Sequence, residues 1–258
     1  TDMHAQLVPI YFREPTVNLG VGEVKGLPPN ITGKDFLGKY GIGPDTPQAY
    51  ALTDQDFTAL AKTYGKVGGV DRMATLIKAI RAEHPDNTLV LDGGDTWQGS
   101  YTSLKSSGAD MVAVQNALGL DAMTAHWEFT YGTDRVKELQ EMLEFPFLCS
   151  NVRDTEWEED VFEAISYFER GGLKIAVIGQ AFTYTPIANP RYMMPNWSFG
   201  INEDNMKKRV ADAQAAGADL IVLLSHNVFD VDRKLASRVD GIDVILTGHT
   251  HDALPAPV

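Results

Sequence analysis

The sequence predicts an α/β fold in which a mostly parallel sheet has helices on both faces and a metal site where its strands end. Three observations lead to this prediction. The length of 258 residues suits one α/β domain. Short apolar runs alternate with stretches of helical periodicity, and polar residues of metal-ligand type follow the apolar runs. Open α/β sheets bind their ligands at the carboxyl ends of the strands.

Five apolar runs predict buried strands, because near-continuous apolar runs of this length are typical of strands covered on both faces. Each run ends in polar residues or glycine, which allows the chain to turn sharply next to a ligand. The predicted strands cover residues 88–92, 146–150, 173–178, 220–224 and 242–246.

Helical spacing of apolar residues predicts helices between these strands. Residues 70–82 carry Met73, Leu76, Ile77 and Ile80 at helical spacing, and the helix over 202–216 is predicted to end at Gly217. Residues 134–143 and 54–62 are the other predicted helices. Two segments rich in Gly, Pro or aromatic residues, 11–66 and 180–200, are expected to be loop-rich insertions, which in compact domains are usually functional.

The composition excludes two classes of function. Lys+Arg 22 against Asp+Glu 35 gives a net charge of −13, whereas a nucleic-acid surface requires a basic patch. No apolar run reaches the ~18 residues needed to span a bilayer. Cys149 is the only cysteine, so it cannot form an internal disulfide, and its apolar surroundings predict a buried, inert thiol.

Five of the six histidines lie in short motifs next to Asp, Gly or Ser. A single histidine of this kind is usually an ordinary core or surface residue, but five of them in such motifs predict a metal site. Asp2 and His4 are expected to face the same side of an extended segment. Asp95, which follows a strand, is predicted to bridge two ions. The other candidate ligands are His126, His226, His249 and His251.

The donor set contains imidazoles and carboxylates but no thiolate, which suits Mn, Fe or Zn and disfavours a structural thiolate zinc site. Two such ions ~3.5–4 Å apart suit hydrolysis of a tetrahedral oxyanion ester, because they clamp both the attacking and the leaving oxygen. The motifs therefore predict a hydrolase with two divalent metal ions.

The order of motifs resembles the calcineurin-like metallophosphoesterases, and specifically their 5′-nucleotidase branch. It reads Asp-x-His, Gly-Asp-x-x-x-Gly-Ser, (Asn/His)-x-Glu-Phe, Ser-His and Gly-His-x-His, and a Gly-Gly-x-x-Arg segment ends at Arg72. The resemblance implies a metallophosphoesterase-like α/β sandwich and suggests manganese. It also implies one ion held by Asp2, His4, Asp95 and His251, and a second held by Asp95, His126, His226 and His249.

Within this branch, residues 11–15, 95–101, 126–129 and 180–190 resemble the SoxB thiosulfohydrolases of bacterial sulfur oxidation. This resemblance implies a periplasmic S-sulfosulfanyl-cysteine sulfohydrolase that releases sulfate from a cysteine S-thiosulfonate on the carrier protein SoxYZ. No signal peptide is recognisable in the sequence. We expect residues 1–258 to form one catalytic domain that lacks the family's first strand and its C-terminal substrate domain.

Three of the positions at which the chain departs from the nucleotidase motif Gly-Asn-His-Glu-Phe-Asp bear on the chemistry. His126 stands at the Asn ligand, while Trp127 and Thr130 replace the His–Asp dyad that assists the leaving group. An alkoxide leaving group gains about 10²- to 10⁴-fold from a general acid, whereas a sulfur leaving group has a much lower pKa and departs without a proton. We therefore predict Asp95, His126 and Trp127 as catalytic residues for a sulfur substrate.

Three alternatives stay open at this stage. Trp127 is either part of the sulfonate pocket or an aromatic wall beside the metals. The activity is alternatively that of a 5′-nucleotidase or another phosphomonoesterase, which would need another acid in place of Trp127. The third alternative is a metal-binding scaffold without catalysis.

Overall fold

The computed structural model describes residues 1–258, which divide into two compact units. The larger unit consists of Thr1–Gln6 and Ala74–Thr250, and the smaller one of Leu7–Met73 and His251–Val258. The single catalytic domain expected over 1–258 stays a prediction.

The chain contains ten α-helices, eight strands and three short 3-10 helices. The α-helices are α1 Gly33–Tyr40, α2 Pro47–Leu52, α3 Phe57–Tyr64, α4 Val70–Glu83, α5 Tyr101–Ser106, α6 Ala109–Leu118, α7 Thr133–Met142, α8 Thr185–Ala188, α9 Glu203–Ala215 and α10 Phe229–Ala236. The strands are β1 Leu91–Asp92, β2 Ala122–Met123, β3 Arg153–Asp154, β4 Ile165–Arg170, β5 Leu173–Gln180, β6 Trp197–Ser198, β7 Leu220–Ser225 and β8 Val244–Leu246. The 3-10 helices are Gly22–Val24, Trp127–Tyr131 and Arg191–Met193.

A four-stranded sheet in the order β4-β5-β7-β8 forms the centre of the larger unit. Strands β5, β7 and β8 are parallel, with Leu224 opposite Leu246, and β4 runs antiparallel to β5. Parallel β1 and β2 form a second small sheet. The carboxyl ends of β5, β7 and β8 therefore lie at one edge of the main sheet.

The two faces of the main sheet are covered differently, because successive strand residues point to opposite sides. On one face, Ile178 and Leu223 pack with Val210 of α9 and Leu235 of α10. On the other face, the sheet packs against the strand layer rather than against helices, through Val177, Val222, Leu224, Leu91, Ala122 and Leu148. The α/β sandwich is confirmed, whereas helices on both faces of the sheet were a wrong expectation.

Most of the predicted elements occur, with shifted ends. The strands over 173–178, 220–224 and 242–246 are β5, β7 and β8, while only Leu91–Asp92 of 88–92 is a strand. Residues 146–150 form isolated parallel bridges, Met123 with Phe147 and Leu148 with Glu163, instead of a regular strand. The predicted helices 54–62, 70–82, 134–143 and 202–216 correspond to α3, α4, α7 and α9.

The smaller unit contains more regular structure than its Gly- and Pro-rich sequence suggested. Helices α1, α2 and α3 fall within 11–66, and Leu37, Ala49, Tyr50 and Leu60 form a buried cluster there. Three short helices therefore share one apolar core inside a segment whose other residues are mostly irregular, and its role as an insertion stays a prediction.

Two other expectations can be compared with the structure. No helix has both the length and the apolar character needed to cross a membrane. The Cys149 thiol is buried, and this burial raises its pKa above the ordinary value. An unreactive thiol follows, because the thiolate is the reactive form.

Candidate metal centre

Four of the predicted ligands follow four different strands of the larger unit. Asp95 comes after β1, His126 after β2, His226 after β7 and His249 after β8. Gly94 allows the first of these loops to approach the second, because a Cβ at this residue would lie 2.8 Å from the Ala125 Cα, and its φ of +91° is one that L side chains rarely adopt.

These four side chains form a cluster in which one potential ligand atom of each lies within 4.8 Å of the others. The Nδ1 atom of His126 lies 2.9 Å from Oδ2 of Asp95. The Nε2 atom of His226 lies 3.8 Å from the same carboxylate oxygen. Asp95, His126 and His226 are buried, and His249 is partly buried.

The first residues of the chain place two more predicted ligands beside this cluster. The backbone N–H of Asp2 donates to Gly94 O (2.8 Å) and that of His4 to Asp95 O (3.0 Å). Nε2 of His4 then lies 3.6 Å from Oδ2 of Asp95, and Nε2 of His226 lies 3.5 Å from Oδ1 of Asp2. One oxygen of Asp95 thus lies within 4 Å of imidazole nitrogens from both predicted ligand groups.

The seventh predicted ligand, His251, belongs to the smaller unit. Its assignment to the first ion stays a prediction, as do the ligand roles of the other six residues.

Backbone strain coincides with the predicted ligands. Nine residues other than glycine have positive φ, and five of them are predicted ligands: Asp2, His4, Asp95, His249 and His251. The φ values of Asp2 (56°) and His4 (46°) show that the expected extended segment was wrong, because both residues lie in the left-handed region. Such conformations cost about 1–3 kcal/mol each and cluster at functional sites, so their coincidence with the ligands independently supports a site here.

The carboxylate of Glu128 organises the backbone around the cluster. It is fully buried and accepts four backbone N–H bonds, from Asp95 (3.2 Å), Thr96 (2.6 Å), Trp97 (3.2 Å) and His126 (2.6 Å). Burial and the charge of Asp95 raise the pKa of Glu128 to about 7, while the N–H donors act in the opposite direction. Glu128 thus ties the loop after β1 to the loop after β2.

The two most buried imidazoles are suited to bind a metal ion. His226 Nδ1 lies 2.6 Å from Gly93 O, so its N–H donates there and Nε2 presents a lone pair to the cluster. Nε2 of His126 and Nε2 of His226 are buried without a hydrogen-bond partner. Burial lowers the pKa of both histidines, that of His126 to about 3, and therefore favours the neutral form. Buried neutral imidazoles beside carboxylates fit a first-row divalent ion.

A buried carboxylate joins the loops that carry His226 and His249. Asp232 of α10 accepts hydrogen bonds from Ser225 Oγ (2.8 Å) and Thr247 Oγ1 (2.5 Å), at the ends of β7 and β8. Burial raises the pKa of Asp232 to about 6, although the hydroxyl donors lower it. Asp232 therefore fixes the separation of two strand ends that each precede a predicted ligand.

The two residues in place of the nucleotidase dyad have different surroundings. The Trp127 ring packs on the His126 imidazole, with ring centroids 4.6 Å apart. The Thr130 hydroxyl donates to the Trp127 backbone carbonyl (2.6 Å) within the 3-10 helix Trp127–Tyr131. Trp127 is thus an aromatic neighbour of the cluster, and Thr130 stabilises the turn that presents it.

Comparison with known proteins identifies the family, although no protein-family model matches the chain. The sulfate thiohydrolase SoxB of Thermus thermophilus, solved in complex with glycerol, is 39% identical with a TM-score of 0.96, over 99% of this chain and 48% of that one. The snake venom 5′-nucleotidase of Naja atra is 32% identical over 81% of this chain and 40% of its own length. The chain belongs to the 5′-nucleotidase branch of the calcineurin-like metallophosphoesterases.

Within this metallophosphoesterase branch the resemblance to SoxB covers more of the chain than that to a solved nucleotidase. A 5′-nucleotidase precursor from Thermus thermophilus is 30% identical with a TM-score of 0.65, over 74% of this chain and 38% of that one. The chain spans less than half the length of these relatives.

Sequence reasoning on this phosphoesterase chain missed three residues that organise the cluster. Glu128 lies inside a recognised motif. Its position two residues after the predicted ligand His126 could have indicated a structural role beside the metal centre. Asp232, an acidic residue on an amphipathic helix, gave no signal because its partners come from two distant strand ends. Phe182 lies in the aromatic segment 180–200, for which no role was predicted.

Proposed function

We propose that the protein is a dimetal hydrolase that releases sulfate from a cysteine S-thiosulfonate on a sulfur-carrier protein of the SoxYZ type. The main support for a metal centre is the position of Asp95 Oδ2, which lies within 4 Å of imidazole nitrogens of His4, His126 and His226. The resemblance to SoxB over 99% of the chain supports the choice of substrate. A periplasmic location is part of this proposal.

In this proposal two groups of residues hold the ions, with Asp95 shared between them. Asp2, His4, Asp95 and His251 hold the first ion, and Asp95, His126, His226 and His249 hold the second. When bound, two divalent ions, proposed to be Mn²⁺, lower the pKa of water and stabilise negative charge on the oxygens of the substrate. Glu128 and Asp232 keep the ligand loops in register through their hydrogen bonds.

The proposed reaction is a hydrolysis without any net oxidation or reduction. A water oxygen forms a bond to the sulfonate sulfur, and the S–S bond between that sulfur and the sulfane sulfur breaks. The electron pair leaves with the sulfane sulfur, which remains on the carrier cysteine as a persulfide. Sulfate is released, and both protons of the water go to solvent.

The surroundings of His126 support a sulfur leaving group. Trp127, whose ring packs on His126, has no acidic proton to donate near neutral pH, and the Thr130 hydroxyl donates to the Trp127 carbonyl. A persulfide leaves without protonation because its pKa is low, whereas an alkoxide benefits from a general acid.

The decisive experiment compares two substrates on the full-length protein. We expect kcat/KM for a carrier bearing a cysteine S-thiosulfonate to exceed that for AMP by at least about 10²-fold, the lower end of what a missing general acid costs. Chelation should abolish the activity, and Mn²⁺ should restore it. Equal or faster turnover of AMP would overturn the thiosulfohydrolase proposal.

A second candidate function is a 5′-nucleotidase or another phosphomonoesterase. It is favoured by relatives such as the Naja atra 5′-nucleotidase, which is 32% identical over 81% of the chain. This function would need a proton donor in place of Trp127. The same comparison of substrates decides between the two candidates.

A further inference from the structure

Phe182 lies outside all the predicted metal motifs, in the loop between β5 and α8. Its backbone is fixed from two sides. The Phe182 N–H donates to Ala125 O (3.1 Å), next to His126 in sequence. The preceding residue, Ala181, exchanges two hydrogen bonds with the Asn151 side chain, both 2.9 Å long. The ring is buried, with 8% of the residue exposed.

The Phe182 ring contacts the imidazoles of the candidate metal centre. It stacks on His249 with centroids 4.2 Å apart and an interplanar angle of 20°. It meets His126 edge-on at 4.3 Å and 66°, and it lies 6.5 Å from His226. Distances of this order are those at which aromatic rings attract each other in specific orientations. Phe182 therefore contacts His126 and His249 and lies near His226, so it borders all three histidines of the cluster.

An ordinary core phenylalanine would have a different environment. Phe162, which is 4% exposed, packs its ring on Phe129, Phe147 and Trp197. Phe182, in contrast, packs on two histidines and lies 6.5 Å from a third, and its remaining aromatic neighbour is the exposed Tyr184. Because its ring packs on predicted ligands, Phe182 has a role in the candidate metal centre and not only in the apolar core.

Among these histidines, His249 is the one whose side-chain orientation depends most on contact with Phe182. It lies beyond the end of β8 with a φ of 78°, in the left-handed region, so no regular element sets the direction of its side chain. A stacked ring held by a rigid backbone restricts the rotation of this imidazole about its side-chain bonds. Outer partners that orient ligating histidines contribute measurably to metal affinity.

We propose that Phe182 is a positioning residue of the metal centre, whose ring sets the planes in which His249 and His126 present their nitrogens to an ion. This inference rests on the proposed function, because it requires that these histidines bind a metal. It deepens that function by assigning a role to the segment 180–200.

The test compares metal binding by the full-length protein and by three variants. We expect Phe182→Leu to bind one of two Mn²⁺ ions about 10- to 100-fold more weakly, as is typical for loss of an outer partner. Phe182→Tyr keeps the ring and should bind both ions as the wild type does. Phe162→Leu, the matched control, should lower the thermal midpoint but leave both affinities unchanged.

A spectroscopic readout separates positioning from general destabilisation. Co²⁺-loaded Phe182→Leu should show an altered visible absorption spectrum, whereas Co²⁺-loaded Phe162→Leu should match the wild type. If Phe182→Leu does not fold, Phe182→Met serves instead, with the same expectation. Unchanged Mn²⁺ affinities and an unchanged Co²⁺ spectrum in the folded Phe182 variant would overturn the role of Phe182 alone. Failure of the wild type to bind two ions would overturn the proposed function together with this role.

Discussion

His126 Nδ1 lies 2.9 Å from Asp95 Oδ2, and both groups are buried. Burial lowers the pKa of His126 to about 3, so this contact is not a simple ion pair between a cationic imidazole and a carboxylate. The same oxygen lies 3.6 Å from His4 Nε2. A carboxylate oxygen approached by imidazole nitrogens from separate loops is the arrangement expected of a ligand shared by two ions.

Asp95→Ala should therefore remove both ions rather than one, because the variant loses the ligand common to both sites. The measurement is metal content after equilibration with Mn²⁺ and gel filtration, with activity as a second readout. Asp134→Ala, which alters an exposed carboxylate at the start of α7, serves as the control and should keep two ions per chain. Two tightly bound ions in Asp95→Ala would contradict the bridging role.

Glu128→Gln tests whether the four backbone hydrogen bonds to Glu128 hold the ligand loops in place. A glutamine presents an NH₂ group to N–H donors where the wild type presents an acceptor, which leaves buried donors unsatisfied. We expect a loss of about 1–3 kcal/mol in the free energy of unfolding and a weaker affinity for metal. Chemical denaturation of the metal-free protein measures the free energy of unfolding, and competition with a metal indicator measures the affinity for metal. Glu141→Gln, at an exposed position on α7, should change neither quantity; a Glu128→Gln variant as stable as the wild type would show that the four bonds contribute little.

Sequence reasoning succeeded where the signal is local. The apolar strands β5 and β7 and the residues after them were predictable, because burial on both faces requires continuous apolar runs. Strand β8 was also predicted in its place, but its Val244 and Leu246 are exposed, so the expected burial of this strand was wrong. It failed where the outcome depends on tertiary contacts. The φ values of Asp2 and His4 follow from hydrogen bonds to the distant residues Gly94 and Asp95, which no local pattern reveals. That β1 and β2 form a second layer against the main sheet was missed for a similar reason, since the two layers meet only through tertiary packing.

Strain at the ligands predicts a trade-off between stability and metal binding. His4 has a φ of 46°, which asparagine tolerates better than histidine. We expect His4→Asn to stabilise the metal-free protein by about 1 kcal/mol while weakening the binding of one ion. The control is Glu158→Asn, at a φ of 54° in a turn outside the cluster, which should gain similar stability without any change in affinity. Loss of stability in His4→Asn would contradict stored strain at this residue.

Asp232 predicts a dependence of stability on pH. Burial raises its pKa from 3.8 to about 6 in the folded chain, so the folded state binds the proton more tightly than the unfolded state. This contribution to stability is fully present below pH 3.8 and is lost as the pH rises through 6. Relative to Asp232→Asn, the metal-free wild type should lose up to about 3 kcal/mol of unfolding free energy between about pH 4 and about pH 6.5.

Denaturant unfolding over a pH series in the presence of chelator measures this difference. Asp230→Asn is the matched control, because Asp230 lies in the first turn of the same helix and is exposed. It should keep the slope of the wild type. If Asp232→Asn shows the same pH slope as the wild type, then Asp232 is ionised throughout and its carboxylate is stabilised fully by Ser225 and Thr247.

The last prediction concerns the leaving group. Trp127→His combined with Thr130→Asp restores the residue types of the nucleotidase dyad beside His126. If the missing acid limits phosphoester hydrolysis, the double variant should raise kcat/KM for AMP by about 10²- to 10⁴-fold. Thr130→Asp alone should not raise this value, because it removes the hydroxyl that donates to the Trp127 carbonyl and adds no acid next to His126.

Steady-state kinetics of the full-length variants on AMP and on the thiosulfonate carrier measure both effects. The phosphatase gain should occur without any gain on the carrier, since a persulfide does not need the proton. A double variant that gains equally on both substrates would show that Trp127 limits access to the centre instead of determining the chemistry of the leaving group.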